Sequence, residues 1–80
     1  MNGKMIDELI GWYGTTAIVC AYALNSFSVL ASTSITYQIL NATGALGIVH
    51  ISFKKKAYQP GVLNTIWALI AFVAIIRMLI

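Results

Sequence analysis

Few residues in this 80-residue chain can do chemistry: one histidine, one cysteine, two acidic residues, and three asparagines set inside apolar sequence. His50, inside an apolar stretch, reads as a proton carrier or ligand contact. Its plainer role is an interfacial residue near Lys54, wetted from the aqueous side. Each amide of Asn25, Asn41 and Asn64 brings two donors and an acceptor to a region poor in water, so each must find a partner. Hydrogen bonds between helices are the plainer use, and ligand binding the sharper one, with Asn64 the strongest candidate beside Asn41, Asn25 and His50. No acidic residue lies within an apolar stretch, which argues against a carboxylate-driven proton or cation relay. Cys20 is alone and reads as a small packing residue. One histidine and one cysteine cannot build a metal-ligand set or a nucleophile, base and orienter. The chain reads as a non-enzyme that uses no metal or cofactor.

The elements that carry these residues are three long apolar stretches, at about 9–30, 35–53 and 61–80. About 18 or more uncharged residues cross a hydrocarbon core of roughly 30 Å as a helix. Hydrophobic residues make up 60% and charged residues 9%, far below the roughly 25% charged in a soluble domain. The expectation is a single all-α transmembrane domain, a three-helix bundle in lipid. The first stretch ends in Val29-Leu30-Ala31, tolerable as a cleavage site. Its length, and Asp7 and Glu8 where a signal peptide is basic, mark it as a retained span.

A net charge of +3 does not point to nucleic acid, because the basic residues form no broad face. Lys54, Lys55 and Lys56 cluster in the connection before the third stretch. Positive residues near span ends favour the cytoplasmic side, and two crossings place Lys4 there too. The expected topology is multi-pass in the inner (plasma) membrane, amino terminus and lysine loop cytoplasmic, carboxyl terminus outside. Besides setting topology, the lysines can meet lipid headgroups, and Arg77 snorkels to the outer interface. Trp12, Tyr13 and Tyr58 suit an aromatic belt.

In lipid, helices associate through small residues and hydrogen bonds. Helical spacing aligns Gly14, Ala17, Ala21, Asn25 and Ser28 on the first stretch. It aligns Gln38, Asn41, Gly44 or Ala45, and Ile48 on the second, with Gly47 also a packing candidate, and Asn64, Ala68, Ala71 and Ile75 on the third. Leu63, Ile66, Ile70 and Val73 are left for lipid. Asn25 and Asn41 fall at similar depth and can bond each other; Asn64 falls near the depth of His50. His50 and Asn41 lie on opposite faces, nine residues apart at about 100° each.

Gly11-Trp12, Tyr37-Gln38-Ile39-Leu40-Asn41 with Gly44-Ala45-Leu46-Gly47, and Val62-Leu63-Asn64 with Trp67-Ala68-Leu69-Ile70-Ala71 resemble a family of small, uncharacterised bacterial three-span proteins. The likeness runs from about Ile10 to Arg77 and implies no particular activity. More distantly, the chain is similar to the SemiSWEET half-transporters of the PQ-loop group, in which two three-span copies surround a sugar path. That resemblance places Asn64 at a sugar-contacting asparagine. The group's proline and glutamine fall at Leu24 and Asn25, and its second-span tryptophan is missing around Ile48, Val49 and His50. The resemblance implies SemiSWEET-like packing and dimerisation more than sugar transport.

Two functions follow as expectations. One is a homo-oligomer, a dimer favoured, that passes or binds a small polar solute between copies. The other is a structural or accessory subunit docked to a larger membrane protein, with no transport activity of its own. A larger lipid-bound ring is a third arrangement.

Overall fold

A computed structural model describes residues 2–80, as three helices: α1 (Gly3–Ser26), α2 (Ile35–Lys54) and α3 (Tyr58–Leu79). The 24 residues of α1 rise about 36 Å at 1.5 Å each, close to the 37 Å long axis of the molecule. The helices therefore run along that axis, alternating in direction.

Local chemistry sets the helix ends. The Asn2 side chain accepts from the Met5 N–H at 2.8 Å, and Ser34 accepts from the Tyr37 N–H at 3.2 Å, so each takes up a first-turn donor that has no intrahelical partner. α1 stops at Ser26, four residues short of the stretch read from sequence. There the Leu24 carbonyl accepts from the Val29 and Leu30 N–H groups, and Ser28 turns left-handed at φ 63°. Ser28 thus lies in the turn and not on the helix stripe. α2 ends similarly, with Lys56 at φ 58° and the Ala57 N–H donating to the Ser52 carbonyl. Pro60 sits in the first turn of α3, where its missing N–H costs nothing.

α2 is the middle of the fold. α1 packs on one side of it and α3 on another, while α1 and α3 do not pack against each other. Gly44 and Gly47 face α1. Asn41 reaches α3, and Phe53 lies over Gly61 of α3. At about 100° per residue, the buried Ala42 and Ala45 share the side of Asn41 and Phe53. The single stripe expected on α2 is thus two stripes, one for each neighbour.

What is buried is small. Ala17, Ala21, Ala42, Ala45, Ala68 and Ala71, with Gly14, Gly44, Gly47 and Gly61, form the interior together with Asn41 and Ser52. No large side chain is fully buried among the described residues. Leu63, Ile66, Ile70 and Val73 point outward, as do Trp12 and Phe27. Among the described residues, one helix is long and apolar enough to cross a membrane, Tyr58–Leu79. α1 and α2 each carry more glycine and threonine than α3, and α1 also carries Lys4, Asp7 and Glu8, which dilutes their hydropathy.

Candidate functional site

The polar groups gather where the start of α1 meets the end of α2. Asp7, on the second turn of α1, accepts from His50 Nε2 at 2.7 Å on one carboxylate oxygen and from Lys54 Nζ at 2.7 Å on the other. One position along, Lys55 Nζ pairs with a Glu8 oxygen at 2.6 Å. Antiparallel packing brings these together: His50 and Lys54 are one helical turn apart on α2, facing the same carboxylate. The Lys54 ammonium, and after it the His50 ring, hold the Asp7 carboxyl below its ordinary value. An ionised Asp7 can only accept, so the ring nitrogen at Oδ1 carries the proton. Among the described residues, Lys4 and Lys56 have no carboxylate partner.

This cluster was not expected from sequence, although its signal was there. The antiparallel run of α1 and α2 puts Asp7 and Glu8 at the same end as the lysine run.

Below the cluster, an apolar groove of about 480 Å³ runs between α1 and α2, lined by Ile6, Leu9, Ile10, Tyr13, Thr43, Leu46, Gly47 and His50. Thr43 Oγ1 donates to the Ile39 carbonyl at 2.8 Å, so the 2.6 Å bond to Tyr13 is donated by the tyrosine hydroxyl. That bond closes the far end of the groove. Beside it, the α1·α2 contact is made of glycine. A Cβ on Gly14 would stand 2.5 Å from the Gly44 carbonyl oxygen, and one on Gly47 would stand 2.7 Å from that of Ile10.

The three asparagines do not converge. Asn41 is buried; its Nδ2 donates to the Tyr37 carbonyl and its Oδ1 accepts from Trp67 Nε1 at 3.1 Å. Asn25 does not bond Asn41. Its Nδ2 donates to the Leu30 carbonyl at 3.0 Å and helps close the end of α1. Asn64, half-buried on α3, donates to the Pro60 carbonyl at 2.9 Å. Each amide nitrogen thus donates a bond within this chain, and of the three only Asn41 links two helices. Arg77 is exposed in the last turn of α3, where its charge complements the helix dipole. Cys20 is exposed and free. No group of three or more metal-ligating side chains occurs among the described residues.

A protein-family model, that of a family of unknown function, matches residues 8–80. The chain belongs to that family. The match covers all three helices except the first turns of α1, and includes Glu8, His50 and the lysine run. No curated protein and no solved structure matches the chain, so the likeness to SemiSWEET half-transporters has no support from these comparisons.

Proposed function

We propose that this chain is a three-span integral membrane protein that acts by docking to other membrane helices, as a structural or accessory subunit. The observation that carries the reading is the inverted distribution of size: glycine and alanine inside, large apolar side chains outside. In water that arrangement leaves the hydrophobic effect unused. In lipid it is what helix association requires, because close approach of small residues drives packing there. α2 and α3 have 20 and 22 residues, about 30 and 33 Å at 1.5 Å each, which matches a hydrocarbon core of roughly 30 Å. Lys4 shares one end with the lysine run Lys54-Lys55-Lys56, which favours that end in the cytoplasm of a cell's plasma membrane.

A docking role fits the asparagines better than a solute path does, since the three do not converge and Asn41, the buried one, spends both its donor and its acceptor inside the chain. Mass determination of the complex extracted from native membranes tests it. Co-purification in fixed ratio with a larger membrane protein is the expected result; a uniform homo-dimer without other protein would sink it.

One observation favours the second reading, a solute path between two copies. A cleft of about 200 Å³ lined by Tyr37, Gln38, Asn41, Trp67, Ile70 and Ala71 lies between α2 and α3. A second copy would enclose it. Uptake of sugars and other polar metabolites into liposomes, abolished by Asn41→Ala, is the outcome that supports this reading over the first.

A further inference from the structure

We draw no further inference here: the strongest candidate, the apolar groove between α1 and α2 lined by Ile6, Leu9, Ile10, Tyr13, Leu46 and His50, is an unpartnered face, and nothing in the structure shows what covers it.

Discussion

The two sides of α2 hold their neighbours by different means. Toward α1 the contact is backbone on backbone: Gly14 and Gly44 approach so closely that neither has room for a methyl group, and Gly47 lies against the Ile10 carbonyl. Toward α3 the contact is made by alanine methyls, the Phe53 ring over Gly61, and the bond from Trp67 to Asn41. Phe53 also meets the Tyr58 ring at 6.2 Å across the short turn. Side chains can rotate to absorb a change, whereas a backbone carbonyl can move only with its helix. The α1 side is therefore the rigid one, and it is also the side fastened by the Asp7 and Glu8 ion pairs. The α3 side is adaptable and relies on one polar link.

The difference can be broken most forcibly at Gly14. Gly14→Ala places a Cβ about where the Gly44 carbonyl oxygen already is, and should cost about 2 kcal/mol of overpacking, partly offset by better helix propensity. Unfolding by denaturing detergent, followed by circular dichroism, reads the loss. Gly3→Ala, with open space around it, should show none.

A smaller effect is expected across the α3 side. Trp67→Phe removes the donor to Asn41 and should cost about 0.6 kcal/mol in the same assay, the average of interhelical hydrogen bonds in membranes. A loss matching that of Gly14→Ala would erase the distinction between a rigid and an adaptable contact.

The smallest effect belongs to the ion pairs, which sit where water screens them. Asp7 titrates below its ordinary value of 3.8, through Lys54 first and His50 second. Its stabilising effect is present in full above that value and is lost as pH falls through the lower folded one. The chain should therefore lose stability below about pH 4 more steeply than Asp7→Asn does. Parallel acid profiles for the two would remove Asp7 from the α1·α2 contact.

Sequence reading reached the three helices and the small residues that bury themselves, because a stripe of Gly14, Ala17 and Ala21 has no use except close approach. It overran α1, since nothing between Phe27 and Leu30 marks a stop: no glycine or proline occurs there, and the left-handed turn is taken by Ser28. It paired Asn25 with Asn41 by depth. An amide one turn from a helix end has free carbonyls nearer than any other helix, and Asn25 takes one of those. The Asp7–His50–Lys54 cluster is legible only through topology, as the product of two antiparallel helices rather than of any local pattern. The split of α2 into two packing sides could not be read from spacing, because glycine and alanine alternate around it and either can face either neighbour.

Since α1 and α3 touch only α2, the molecule is a linear chain of nearest neighbours, and its free energy separates into two independent parts. Gly14→Ala and Trp67→Phe together should cost the sum of their separate effects, with coupling below about 0.5 kcal/mol. A closed three-helix bundle, in which every helix meets the other two, would not behave so. Either outer helix can thus loosen while the other holds, and a partner that engages one need not be sensed by the other.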